Sequence, residues 1–548
     1  MRAAVMDVVI GGRDDAEVFA RARQAGFAGV EVVVTRNDLA ASSNGRLEGL
    51  RRAKEATRLE IPALVLGEHN DEGGIADANL EASNRAQADV RHATAWAREL
   101  DTDVVLLPFF NRAELVSDAD DDRAVAAFQA LCPEAAEHGV SLCFEGSLPA
   151  DRIASLASRV GSSAFGCYFD LANPLAHRGL DSPTEIRALR GLISRVHVKD
   201  TRVRTGDCRP GTGRVDYAEC ARALSEIGYD GWLTLETPPA PPPLVSRDLS
   251  FTRSVFSGLD GTPRWPRLGA FPTDFGEGEW EQLADAFDRL GLDSVQLMGP
   301  LLDECLEDAG RAESGRALLE ERGIRVPALG GYCNLVAPDR AVRRANIEHV
   351  RRCLEIAPVL GSYVVATETG TLSADGNWTD SPKNWSEEAW GLLYDALETL
   401  LPVAEGHGTI LALEAYVGNV LKTHGQLAGL LDRFPTQHLQ VVCDPYNYLS
   451  SGLVAAHARV VSEVLDRFEP RFVLAHLKDV DPGGALAGTP EFGTGVFSQL
   501  PYLEFLRTRR PDLDLIAEHL PLEHVQAVRA RVDALLTPVE SGLAAGVS

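Results

Sequence analysis

The chain has 548 residues, 45% hydrophobic and 24% charged, enough for a large core and, by length alone, about three or four domains, or fewer if α/β barrels of about 250 residues are present. Its 53 Lys and Arg against 80 Asp and Glu leave a net charge of −27, which argues against avid, sequence-independent nucleic-acid binding. No apolar run approaches the roughly 18 residues of a membrane helix, the opening MRAAVMDVVI is broken by Asp7 and lacks a signal-peptide pattern, and nine Cys in apolar contexts read as free thiols, so a cytoplasmic protein without membrane partners is expected.

In chain order, short apolar runs suited to strands stand at 3–10, 29–34, 61–67, 103–109, 140–145, 165–170, 193–199 and 231–236, separated by segments of helical period. A cluster of prolines at 238–243, followed by a polar stretch to about 265, predicts an extended linker. Beyond it the pattern resumes, with strands expected at 267–272, 294–298, 324–330, 362–368, 409–415, 439–444, 471–478 and 513–518. Eight strands alternating with helices in each half is the arithmetic of a (β/α)₈ barrel. An open doubly wound sheet is the alternative, but neither half opens with G-x-G-x-x-G after its first strand. The expected architecture is α/β, two tandem TIM barrels: residues 1–237, a proline-rich linker 238–265, and residues 266–540.

Potential metal ligands sit at strand ends in both halves. Glu145, Asp170, His197 and Glu236 close strands five to eight of the first; Glu414, Asp444, His476 and Glu518 recur in the same order in the second. The offsets of 269, 274, 279 and 282 residues drift as loop-length changes between duplicated barrels would make them. Taken singly, a strand-end carboxylate is usually a helix cap or a loop ion pair, and a lone His beside apolar residues is usually a core side chain. The joint recurrence favours a metal site in each half. Three carboxylates and one imidazole suit Mn²⁺, with Mg²⁺ or Co²⁺ as alternatives, one ion per barrel. Along a strand His197 and Lys199 share a face while Asp200 points to the other.

These residues resemble the xylose-isomerase-like TIM barrels of sugar phosphate isomerases and epimerases, a family that includes hydroxypyruvate isomerase, inosose dehydratase, ketose 3-epimerases and endonuclease IV. The resemblance rests on VHVKD at 196–200, PGTGRVDY at 210–217 and GYDGWLTLE at 228–236. In the second half GGYCNLVAPD at 330–339, LGSYVVATETGT at 360–371, CDPYN at 443–447, AHLKD at 475–479 and FGTGVFSQLPYLEFL at 492–506 are similar to it. It implies metal-ligand roles for the eight residues already named. Asn173 and Asn447, three residues after the strand-six Asp, stand where the family often touches substrate; a turn Asn is the competing reading. Lys199 and Lys478 would place a cation against a developing oxyanion, or simply pair with Asp200 and Asp479. Gly211, Gly213, Gly493 and Gly495 allow a tight loop over the site or are plain turn glycines.

The rims differ elsewhere. Glu31 and His69 end strands two and three of the first half and are candidates to contact substrate, whereas Gln296 and the stretch 331–334 occupy those places in the second. A loop at 371–385 carries Trp378, Lys383 and Trp385, as a cover over a ligand or as unspecialised surface. No convincing phosphate cradle is visible; Arg202, Arg204 and Arg209 are the candidates and read equally as solvated loop residues.

The expected chemistry is metal-dependent isomerisation or epimerisation of a sugar or keto-polyol. Glu145 with Glu236, and Glu414 with Glu518, would move a proton beside a carbonyl through an enediolate. Expulsion of a β-substituent from the same intermediate, as in a dehydratase or lyase, is the alternative. An apurinic-site endonuclease is a remote one, since the chain lacks the additional His ligands of a trinuclear site. One barrel as a non-catalytic scaffold, with the two halves forming an intramolecular pseudo-dimer, also stays open.

Overall fold

The computed structural model describes residues 1–40, 45–256 and 267–536, which fall into two compact units, 1–263 and 264–548. The first is a closed barrel of eight parallel strands, Arg2–Met6, Gly29–Val33, Leu64–Val65, Val104–Phe109, Ser141–Gly146, Phe165–Asp170, Ile193–Val198 and Trp232–Leu235, each paired with its neighbours in sequence order and the last with the first. The second repeats this order with Leu268–Ala270, Ser294–Val295, Leu329–Gly330, Val364–Glu368, Ile410–Glu414, Leu439–Cys443, Phe472–Leu477 and Leu515–Ala517. Its second and third strands meet through the isolated bridges Ser294↔Arg325 and Leu297↔Leu329 instead of a continuous ladder.

The strands are largely apolar runs because a barrel buries both of their faces. Leu106, Leu142 and Phe144 in the first unit and Val365, Leu411 and Leu413 in the second are completely inaccessible. Helices begin where the sequence supplies caps. Ser117 and Asp120 form a capping box at the head of Asp118–Glu137, and Thr423 with Gln426 does the same for His424–Arg433. Among the described residues no helix is long and apolar enough to cross a membrane.

Two expected features take a different form. The run 3–10 stops being a strand at Met6, and Asp7–Ile10 is a single helical turn. The proline-rich segment is not an extended spacer: Pro242–Val255 is a helix, because prolines in a first helical turn forfeit no intrahelical hydrogen bond. Leu244, Val245 and Leu249 are buried, Arg253 donates to the carbonyl of Gly26 at 2.7 Å, and the buried Asp248 pairs with Arg209. This is the eighth helix of the first barrel, so that unit extends well past residue 237. The remainder of the expected linker, 257–265, lies outside the described residues.

Candidate functional site

Strands five to eight of each barrel end side by side at the C-terminal rim. Register sets Asp170 beside His197 in the first barrel. One ligand atom from each of Glu145, Asp170, His197 and Glu236 lies within 4.8 Å of the others, and the same holds for Glu414, Asp444, His476 and Glu518. Apart from the partly exposed Glu236 and Glu518, all of these side chains are buried.

In the first cup His197 Nδ1 stands 3.1 Å from Glu145 Oε1 and 2.9 Å from Glu236 Oε2. In the second, His476 Nδ1 is 3.4 Å from Glu414 Oε2, 3.4 Å from Asp444 Oδ2 and 3.5 Å from Glu518 Oε2. Each imidazole is aimed by a residue behind it: His197 Nε2 meets Glu31 Oε1 at 2.7 Å and His476 Nε2 meets Gln296 Oε1 at 2.9 Å. Both partners are acceptors, so Nε2 donates to them, and Nδ1 is turned into the cup.

Lys199 and Lys478 do enter the cups, but neither reading of them as partners of the neighbouring Asp holds. Lys199 Nζ bridges Asp170 Oδ2 at 3.2 Å and Glu236 Oε2 at 2.7 Å. Lys478 Nζ bridges Asp444 Oδ2 at 2.8 Å and Glu518 Oε2 at 2.9 Å. Asp200 instead accepts from the backbone N–H groups of Gly213 and Val215 at 2.8 and 3.1 Å. Asp479 likewise holds Gly493, Gly495 and Phe497. The H-x-K-D segment therefore divides its work: His and Lys face the cup, and Asp fastens the glycine loop beside it.

Asn173 and Asn447 are buried against the cup carboxylates. Asn447 Nδ2 donates to Glu414 Oε1 at 2.6 Å, and Asn173 Nδ2 approaches Glu145 Oε1 at 3.4 Å. Their backbone N–H groups donate to Asp170 and Asp444, so each Asn orients two cup residues at once. His69 is buried but turned toward the following helix, with Nε2 3.9 Å from Asp89. In the loop at 371–385 the side chain that anchors the loop is Asn384, while Trp385 carries the Lys422 ammonium 5.4 Å from its ring centroid. Asn384 bridges Leu372 N–H and the Gly418 carbonyl at 2.8 and 3.0 Å, while Trp378 and Trp385 are 43% and 61% exposed.

The electrostatics split the paired glutamates. Burial raises Glu145 above the usual carboxylate range, although His197 pulls against it. Burial also opposes ionisation of Glu236, but Lys199 and His197 outweigh it and hold it at about 2. In the second cup burial raises Glu414, and Lys478 and His476 overcome the same burial cost to hold Glu518 well below its usual range. Against burial, the surrounding carboxylates raise His476 to about 10.

Three polar groups escaped the sequence reading. Glu368 ends strand four of the second barrel in register with Glu414, where the first barrel has Pro108 opposite Glu145, so duplication gave no pair to notice. Asn419 donates to it, and burial next to Glu414 raises it well above the usual range. Tyr332, within the stretch 331–334, donates to Glu414 Oε2 at 2.9 Å. Tyr168 donates to Glu31; it sits mid-strand among apolar residues and looks like core.

The donor set fits a hard divalent cation. Asp170 Oδ2, Glu236 Oε2 and Asp444 Oδ2 are buried with ion pairs to the cup's own Lys and His as their partners, and His476 Nδ1 is buried without a hydrogen bond, so lone pairs remain for a cation. Ligand atoms about 2.1 Å from one ion lie within about 4.2 Å of each other, a spacing comparable with the 4.8 Å that bounds each cup.

Each half is thus a (β/α)₈ barrel with a carboxylate and imidazole cup at its C-terminal rim. The chain belongs to the xylose isomerase-like TIM barrel family, which it matches over residues 19–255 and again over 284–523. A Streptomyces coelicolor protein provisionally named a hydroxypyruvate isomerase is 28% identical over 245 residues, 41% of this chain and 85% of that protein. Among solved structures, 3-keto-D-glucoside 4-epimerase from E. coli is similar at 16% identity over 46% of this chain and 99% of its own, with a TM-score of 0.40. D-psicose 3-epimerase from Clostridium cellulolyticum H10 is similar at 14% identity over 47% of this chain and 100% of its own, with a TM-score of 0.41.

Proposed function

We propose that each barrel is a divalent-metal-dependent isomerase or epimerase acting on a sugar or keto-polyol, with Mn²⁺ as the favoured ion and the two tetrads as its ligands. The observation that carries this is the convergence of Glu, Asp, His and Glu on one small volume in both halves. The name of the Streptomyces relative supports the reaction class. When bound, the ion would withdraw charge from a chelated carbonyl and hydroxyl and so ease removal of the neighbouring proton.

The protein's own groups do the rest. Glu145 and Glu236 flank His197 Nδ1 at 3.1 and 2.9 Å, so two carboxyl groups face one bound carbon skeleton. One takes the proton from the carbon next to the carbonyl, and the C–H electron pair moves into an enediolate whose oxygen takes up the negative charge. Protonation of the same carbon from the opposite face gives the epimer; protonation of the adjacent carbon gives the isomer. Asn173 aims Glu145, and the Lys199 ammonium lies within reach of the charge that develops on oxygen. Glu414, Glu518, Asn447 and Lys478 repeat these roles.

The test is deuterium wash-in from D₂O into keto-sugars and 3-keto-glycosides by the Mn²⁺-loaded protein. Wild type incorporates deuterium beside the carbonyl. Glu145→Gln together with Glu414→Gln lowers incorporation at least 10²-fold, and each single variant retains the share of the other barrel. Incorporation that survives the double variant would refute the assignment, and elimination of a β-substituent in place of exchange would make the protein a lyase.

A further inference from the structure

Behind each imidazole the two cups differ in one acceptor. His197 Nε2 meets the carboxyl group of Glu31, which is fully buried and receives a second hydrogen bond from Tyr168. His476 Nε2 meets the neutral amide of Gln296 at 2.9 Å. The chain in the second cup continues: Gln296 Nε2 donates to Tyr332 at 3.1 Å, and the Tyr332 hydroxyl donates to Glu414 Oε2 at 2.9 Å. It ends on one of the candidate ligand oxygens. In the first cup the tyrosine bond ends on Glu31, which lies outside the tetrad.

Two consequences act in the same direction. A carboxyl acceptor behind an imidazole makes it a stronger donor than an amide does, and such partners are worth about 10–100-fold in metal affinity. A hydroxyl that already occupies a lone pair of Glu414 leaves that oxygen a poorer ligand. Glu368, the additional carboxyl group of the second barrel, does not replace Glu31, because it bonds Asn419 and not the imidazole.

We propose that Glu31 and Gln296 are positioning residues that grade the two cups, so that the first holds a divalent cation at least tenfold more tightly than the second. One chain would then keep one barrel charged at low cation supply and fill the other only as supply rises. This rests on the metal reading above and extends it to the relation between the sites.

Titration of the metal-free full-length protein with Mn²⁺ by calorimetry tests it, with Asp170→Asn and Asp444→Asn assigning each heat to a cup. Two binding steps are expected, at least tenfold apart, the tighter one lost in Asp170→Asn. Glu31→Gln, which places in the first cup the side chain the second already uses, should weaken the tighter step about tenfold or more. Gln296→Glu should tighten the weaker step, a gain that mere damage to the fold cannot produce. Two ions bound with equal affinity, or a ratio that neither exchange moves, would overturn the grading while leaving the metal centres standing. Absence of any Mn²⁺ binding would overturn the metal reading and the grading with it.

Discussion

A methyl group on Gly213 would stand 2.2 Å from Asp200 Oδ1, and one on Gly495 2.3 Å from Asp479 Oδ1. Gly211 and Gly493 adopt φ of 78° and 81°, where other residues are strained. In each loop, then, one glycine is needed for its backbone angle and the other for close approach to the Asp that fastens the loop. Gly213→Ala should cost about 1–3 kcal/mol in thermal unfolding and depress deuterium exchange by the first barrel, with the second unaffected. A different residue speaks through pH. Burial, aided by Arg36, lowers His69 to about 4 from an ordinary 6.5, so the folded protein holds it neutral. Its contribution to stability is complete above pH 6.5 and is lost as pH falls toward 4, by at most about 3 kcal/mol at 1.36 kcal/mol per unit. His69→Gln should therefore flatten the fall in unfolding free energy between pH 6.5 and 4, measured by denaturant titration against wild type.

At the scale of elements, what could be read from the sequence was what burial on both faces imposes. Strands such as Val104–Phe109 and Phe472–Leu477 announce themselves as largely apolar runs, and the ends of strands five to eight carry the polar residues of the cups. Duplication made those residues visible, because each had a partner of the same type at a similar offset. Where the halves diverge that signal disappears: Glu368 faces a proline in the other copy, and the Tyr332 bond to Glu414 has no sequence periodicity behind it. Side-chain partnerships were equally hidden. Nothing in a residue string tells Lys199 to choose Asp170 and Glu236 over the adjacent Asp200, a choice made by strand pleat and closure of the barrel. The helix Pro242–Val255 was masked by its own prolines, which break helices in mid-course and begin them well. Since it buries Leu244, Val245 and Leu249, Leu249→Ala should cost about 2–5 kcal/mol. Calorimetry should show the loss in one unfolding transition, that of the first unit, whereas an independent linker would leave both transitions in place.

For the molecule as a whole, two barrels with separate cores and separate cups would give, on the proposed metal reading, two separate linkages between metal and folding. A ligand that binds only the folded state stabilises it by RT ln(1 + [L]/Kd), about 2.7 kcal/mol at a hundredfold excess over Kd. In a unit of about 250 residues that corresponds to roughly 5–10 °C in Tm. Chelation of Mn²⁺ by EDTA should lower both transitions in wild type. In Asp170→Asn only the transition of the second unit should still respond, and in Asp444→Asn only that of the first, because each substitution removes one carboxylate from one cup. Lys199 and Lys478 set the limit of the effect. Each ammonium already neutralises part of its cup, so the metal-free barrels should stay folded instead of collapsing as small zinc domains do. Lys199→Met removes that internal cation, and the metal-free first unit should then unfold at a lower temperature while its gain from Mn²⁺ grows. Scanning calorimetry with and without Mn²⁺ reads both quantities in one experiment, and a Lys199→Met variant whose Mn²⁺ response matched wild type would show that the ammonium and the metal do not compete for the same carboxylates.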